Sequence, residues 1–89
     1  MSLTFHQFQT FIRERYHERD SARGTASNFM WLIEEVGELA TALQKPDLDP
    51  SEEFADVLGW LATLANIHGV DLEDALRKKY LDDGGELHK

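Results

Sequence analysis

Two pairs of carboxylates, each spaced three residues apart, stand on either side of a short break in this chain: Glu35 with Glu38, and Glu53 with Asp56. On a helix, residues i and i+3 are neighbours on one face, so each pair can present two carboxylates to one cation. Two such helices packed antiparallel would bring four carboxylates together, a ligand set for a hard divalent metal. Residues 34–56 hold eight of the seventeen acidic residues and a single basic one, Lys45.

The second pair is the more informative. At about 100° per residue, Glu53, Asp56, Val57, Trp60, Leu64 and Ile67 share a helix face. Phe54, Leu58, Leu61 and Ala65 cover much of the remainder, which predicts a central helix, apolar almost all round, with its acids against bulky apolar neighbours. A buried carboxylate without a partner costs several kcal/mol or gives up its charge. One pair alone has an ordinary structural reading: Glu53 in a first helical turn suits the helix dipole, and Asp56 could meet an arginine. Two pairs flanking one short connection favour the metal.

The elements that must position these acids are all helical. Thr4 opens the first, with Gln7 three residues on as a capping-box partner. Phe5, Phe8, Phe11, Ile12 and Tyr16 follow at helical spacing to about Arg19. Arg13, Arg15, Glu18 and Arg19 occupy the other face, a solvated stripe from which an arginine could reach a triphosphate. Glu14 and His17 have the Glu-x-x-His spacing of di-iron bundles, but such sites need two copies and the chain has one, so His17 reads as a surface residue. Residues 20–27 read as a loop by composition. The second helix is expected from about Asn28 to Gln44, capped by Thr25 or Ser27, with Leu32, Ile33, Val36, Leu39, Ala40 and Leu43 as its core stripe. Glu34, Glu35 and Glu38 lie beside that stripe, with Trp31 on their side. Gly37 costs about 1 kcal/mol of helix propensity relative to Ala. Either a close approach of another helix or ligand, or neutral drift, accounts for it.

Residues 45–50 form a break, with Asp49 capping a third helix whose first turn holds Pro50. That helix stops at His68-Gly69, where His68 is expected to cap carbonyls. Asp71 caps a fourth, Leu72 to about Leu81, with Ala75, Leu76 and Tyr80 inward and Arg77, Lys78 and Lys79 suited to its C-terminal dipole or to phosphate. Residues 82–89 read as a frayed tail. The expected fold is therefore all-α: a single domain over residues 1–89, built as a four-helix bundle and completed by dimerisation.

The bulk numbers exclude several classes. Eighty-nine residues make one small domain, without cysteine and so without disulfides or cysteine-based metal sites, as suits a cytoplasmic protein. No apolar run reaches membrane-spanning length, and no signal-peptide pattern opens the chain. A net charge of −8 disfavours duplex nucleic acid, which is bound through phosphate neutralisation. It leaves room for a phosphate-bearing small substrate, because bound cations reverse the local field.

Glu34-Glu35-Val36-Gly37-Glu38-Leu39 followed by Glu53-Phe54-Ala55-Asp56-Val57-Leu58 resembles the signature of MazG-like nucleoside triphosphate pyrophosphohydrolases. The likeness extends through Leu64-Ala65-Asn66 and Gly69-Val70-Asp71-Leu72-Glu73 and covers roughly residues 28–80. It implies an all-α bundle, a dimer or a dimer of dimers. The implied reaction is Mg²⁺-dependent cleavage of a nucleoside triphosphate to monophosphate and pyrophosphate, with Mn²⁺ as a substitute ion. It also implies that Glu35, Glu38, Glu53 and Asp56 bind the metal, that Glu34 orients or activates water, and that Lys79 lies near the phosphates. Trp31 and Trp60 are candidates for stacking on the base, or for plain core packing. Asp82-Asp83-Gly84-Gly85 stands where relatives often carry an Asn and a basic end. Two other readings stay open. A phosphoribosyl-ATP pyrophosphohydrolase would usually carry Tyr-His where this chain has Gly59-Trp60. A catalytically silent helical module would bind a nucleotide or a partner protein without turnover. House-cleaning of damaged nucleotides and control of a normal pool are equally compatible with these residues.

Overall fold

The computed structural model describes residues 2–82. Within them the chain forms four α-helices and no strand: α1 (Phe5–Arg23), α2 (Thr25–Leu43), α3 (Ser51–Ile67) and α4 (Leu72–Arg77), the last running into a π-helical turn, Lys78–Asp82. The all-α expectation holds. The tail expected to fray lies, from residue 83 on, outside the described residues.

Most helix ends follow local chemistry. Thr4 and Gln7 form the reciprocal capping box: the Gln7 N–H donates to Thr4 Oγ1 at 3.0 Å and the Thr4 N–H to Gln7 Oε1 at 2.9 Å. Asp49 Oδ1 accepts from both the N–H and the hydroxyl of Ser51, but it stands one residue ahead of the cap. Pro50 takes the N-cap position of α3 rather than its first turn, and Asp49 turns the chain into the helix without being its N-cap. Gly69, at φ +67°, closes α3 with the Val70 N–H returning to the Ala65 carbonyl at 2.8 Å. Asp71 caps α4 by accepting from the Asp74 N–H.

The expected loop at 20–27 is a single residue. α1 continues to Arg23, and Gly24 (φ +88°) alone breaks the chain before α2 begins at Thr25, with no side-chain cap. Ser21, Ala22 and Arg23 are compatible with a helix, and the break is held from elsewhere. The fully buried Asn28 amide donates to the Asp20 carbonyl at 2.6 Å and the Gly24 carbonyl at 2.8 Å. α4 also departs from expectation, since it turns from α- to π-winding at Lys78. Its Ala75 and Leu76 are exposed and only Tyr80 is half-buried.

α3 packs against both α2 and α1, which touch each other only sparsely, and α4 rests on α1. Gln9 locks that last junction. Its amide donates to Asn66 Oδ1 and the Val70 carbonyl and accepts from the Leu72 N–H, so the start of α4 is fixed to α1. The buried apolar side chains are Ile12, Leu32, Ala42, Ala62 and Ala65. Of the stripe expected on α2, only Leu32 is buried, and Ile33, Val36 and Leu43 are exposed. Phe54, Leu58 and Leu61 of α3 are exposed as well. α3 is central in its contacts yet far from enclosed. Close helix contact runs through the small residues Ala42, Ala62 and Ala65, which leaves the larger apolar side chains outside.

Candidate active site

The acids stand where α2 and α3 run together. Glu34, Glu35 and Glu38 lie on the middle turns of α2, and Glu53 and Asp56 on the first turns of α3. Glu35 and Glu53 are half-buried, whereas Glu34, Glu38 and Asp56 are exposed. The expectation of acids pressed against bulky apolar walls is corrected here: within one chain this end of α3 is open to solvent.

Glu35 is the perturbed member. Its carboxyl is pushed up to about 7, first by partial desolvation, then by sharing a proton with Glu38, then by the negative charges of Glu38, Asp56 and Glu34. Two carboxylates only accept hydrogen bonds, so Glu35 and Glu38 can bond only when one is protonated. With both ionised, Glu35 Oε2 is buried with no donor. The structure thus brings Glu35, Glu38, Asp56 and Glu34 within electrostatic reach of one another, and Glu53 is not among the groups acting on Glu35. Among the described residues no three acidic or histidine side chains converge tightly enough to enclose a cation. Like charges do not draw together without a counter-charge. The Glu35 carboxyl, raised by desolvation and then by its acidic neighbours, has an oxygen without a donor, and a positive partner is the chemistry a hard divalent ion would supply there.

Beside the acids, Trp31 of α2 and Trp60 of α3 stack with ring centroids 6.0 Å apart and planes within 10°. The two tryptophans singled out in the sequence are therefore one aromatic unit, with Trp31 exposed and Trp60 half-buried. Trp60 and Asp56 share an open groove between α1 and α3, about 490 Å³ in volume, whose walls include Tyr16, Arg19, Asp20 and Thr63. That volume suits a nucleoside. Lys79 sits in the terminal π-helical turn, whose main packing is on α4 and not on the helices that carry the acids.

Four residues of this region escaped the sequence. Asp20 and Arg23 fall in what reads as a loop, and Asn28 and Thr63 read as ordinary helix positions. Asp20 is buried, with its carboxylate accepting from the Thr63 hydroxyl at 3.2 Å and from Arg19 Nε at 3.3 Å. The only sequence signal was an Asp followed by Arg within one helical turn. His17 is half-buried with an unpartnered Nδ1, not a surface residue. His68 pairs its Nε2 with the Thr25 hydroxyl rather than capping a carbonyl. Gly37 has nothing within 4 Å of where a Cβ would stand, so no close approach within the chain explains it. A smaller hollow of about 140 Å³, between His6, Gln9, Asn66 and Asp71, lies at the α1–α4 junction, where these side chains bond to one another and to the start of α4.

An all-helical chain with carboxylates on two packed helices, an adjoining aromatic pair and a nucleoside-sized groove falls in the class of small helical nucleotide-handling domains. The profile of the MazG nucleotide pyrophosphohydrolase domain matches residues 23–80, and the chain belongs to that family. Among solved structures it is similar to iMazG from Vibrio DAT 722, at 34% identity and a TM-score of 0.67, covering 85% of this chain and 88% of that one. The uncharacterized protein YvdC of Bacillus subtilis (strain 168) is 32% identical over 78% of this chain and 82% of its own. Among the described residues, no helix is long and apolar enough to cross a membrane.

Proposed function

We propose that this chain is a Mg²⁺-dependent nucleoside triphosphate pyrophosphohydrolase of the cytoplasm, with Mn²⁺ able to substitute. Its products are the nucleoside monophosphate and pyrophosphate. The observation that carries the reading is Glu35, its Oε2 buried without a donor and its carboxyl raised to about 7 by desolvation and by the acids around it, on helices of a family whose description names nucleotide pyrophosphohydrolysis. Among the described residues no cation is one of the groups acting on Glu35, so an external one has a place to act.

Glu35, Glu38, Glu53 and Asp56 would hold the ion. When bound, Mg²⁺ neutralises charge on the phosphate oxygens and acidifies water. Glu34, exposed beside Glu35, would orient the attacking water and accept its proton. Water oxygen bonds to the α-phosphorus as the bond to the departing pyrophosphate breaks. Trp60 and Trp31 would offer a face to the base beside Asp56, and Lys79 is proposed to meet the phosphates. A homo-oligomer, either a dimer or a dimer of dimers, belongs to this reading. Phe5, Phe11, Phe29, Met30, Ile33 and Phe54 are all exposed, more large apolar surface than a small monomer usually leaves to water.

The test is release of pyrophosphate from a panel of deoxynucleoside and nucleoside triphosphates with and without Mg²⁺. Metal-dependent pyrophosphate release from at least one member is expected. Release of orthophosphate instead, or no turnover of any triphosphate, overturns the proposal. The same panel reads base and sugar preference, and with it the choice between damaged and normal nucleotides.

A further inference from the structure

We infer that Arg19 and Arg23, held by the buried Asp20, form a clamp for the β- and γ-phosphates of the substrate. This inference rests on the proposed pyrophosphohydrolase reading. One full turn of α1 separates the two arginines, which places both on the same side of its last turns. Arg19 donates Nε to Asp20 Oδ1 at 3.3 Å, and the Arg23 guanidinium stands 3.7 Å from the same oxygen. Asp20 is itself fixed, with 3% of its side chain exposed and Thr63 of α3 donating to its other oxygen. Two cations on one buried anion leave this cluster with a net positive charge, in a chain that is otherwise strongly acidic.

Both guanidiniums also lie over aromatic rings. Arg19 lies over the Tyr16 ring, 5.0 Å from its centroid, and Arg23 over Trp60 at 5.9 Å. With Nε of Arg19 used by Asp20, its two terminal nitrogens are the donors that remain, and they form the edge that grips a phosphate bidentately. Arg19, with 63% of its side chain exposed, lines the groove that also contains Asp56 and Trp60. The carboxylates on one side and the arginines on the other therefore divide the work. The acids would hold the cation that serves the α-phosphorus, and the arginines take the outer phosphates that leave as pyrophosphate. Asp20 is a positioning residue and touches no substrate.

Steady-state kinetics and inhibition by inorganic tripolyphosphate and by the nucleoside monophosphate product test the clamp in Arg19→Gln, Arg23→Gln, Arg19→Lys and Asp20→Asn. In the two glutamine variants, KM and the tripolyphosphate inhibition constant should each rise about tenfold. The monophosphate constant should stay fixed, because that product has no outer phosphates. Arg19→Lys should recover only part of the loss, since it keeps the charge without the fork, and Asp20→Asn should weaken tripolyphosphate in step with Arg19→Gln. An unchanged tripolyphosphate constant in both glutamine variants overturns the clamp, as does an equal weakening of monophosphate. A misfolded Asp20→Asn leaves the arginine variants to decide. Should the wild type turn over no triphosphate, the proposed function fails by itself. Calorimetric binding of Mg²⁺-tripolyphosphate to wild type and the two glutamine variants then decides the clamp separately.

Discussion

Replacing Glu35 with glutamine separates a carboxylate held against its neighbours for a metal from one that holds the fold together. The unfolded chain ionises Glu35 near 4.5 and the folded chain near 7. Between those values the folded state keeps a proton the unfolded state has lost. The contribution of Glu35 is therefore fully present below about 4.5, fades as pH rises through about 7, and is gone above it. A displacement from 4.5 to about 7 corresponds to about 3 kcal/mol, which partial exposure to solvent reduces to about 2 kcal/mol. For a domain of this size that is roughly 8–16 °C in Tm. The assay is thermal unfolding in chelator from pH 5 to pH 8 at one protein concentration, for wild type and Glu35→Gln. Because other carboxylates titrate in both proteins, the difference between the two curves isolates residue 35. The two should coincide near pH 5, with the variant the more stable by about 2 kcal/mol at pH 8. Mg²⁺ at a hundredfold excess over its dissociation constant should then raise the wild type by about 2.7 kcal/mol and the variant by less. Parallel curves, or a variant less stable than wild type at pH 8, would refute the reasoning, since a structural carboxylate loses a partner when it is neutralised.

Further outcomes follow from the same geometry. Glu38→Gln and Asp56→Asn should abolish pyrophosphate release yet leave the metal-free protein at least as stable as wild type. Breaking a buried structural ion pair would instead cost about 3–5 kcal/mol, which melts in chelator will distinguish. Asn28→Ala should destabilise by about 2–3 kcal/mol in denaturant titrations, because the Asp20 and Gly24 carbonyls each lose a buried donor. Gly24→Ala should cost about 1–3 kcal/mol in the same measurement, since Gly24 sits at φ +88°, ψ 165°, a region that is essentially glycine's alone. Light scattering at high micromolar concentration should give at least the dimer mass, and a clean monomer would remove the oligomer from the proposal.

What was legible in the sequence was local. A capping box, an Asx cap or a glycine with positive φ depends on residues within a few positions of one another. Thr4 with Gln7, Asp49 with Ser51, Gly69 and Asp71 therefore all stand as helix-boundary signals. The acidic residues were legible for the same reason, their i, i+3 spacing being a property of one helix at a time. The α1–α2 junction was not. Its composition is that of a loop, but the helix persists because Asp20 is held by Thr63, forty-three positions away, and its carbonyl by Asn28. No window around residue 20 contains Thr63, so Arg19 and Arg23 could not be seen as one unit.

The apolar stripes mark a further limit, and it is a physical one. Periodicity shows which side of a helix avoids water but not what covers it. Ile33 and Val36 of α2 lie on the stripe read as core and are 52% and 42% exposed. Phe54 and Leu58 of α3 are 49% and 43% exposed. At about 25 cal/mol per Å² of apolar surface removed from water, covering a few such side chains contributes several kcal/mol, comparable with the whole stability of a small domain. The same side chains carry the helices on which Glu35 and Asp56 stand. Covering them in an oligomer would also exclude water from the neighbouring carboxylates, strengthening the repulsion among them and the hold of any cation that relieves it. Assembly and metal binding are thus expected to be linked. Added Mg²⁺ should lower the protein concentration at which light scattering passes from monomer to dimer, and the Glu35→Gln variant should show less of that shift than the wild type.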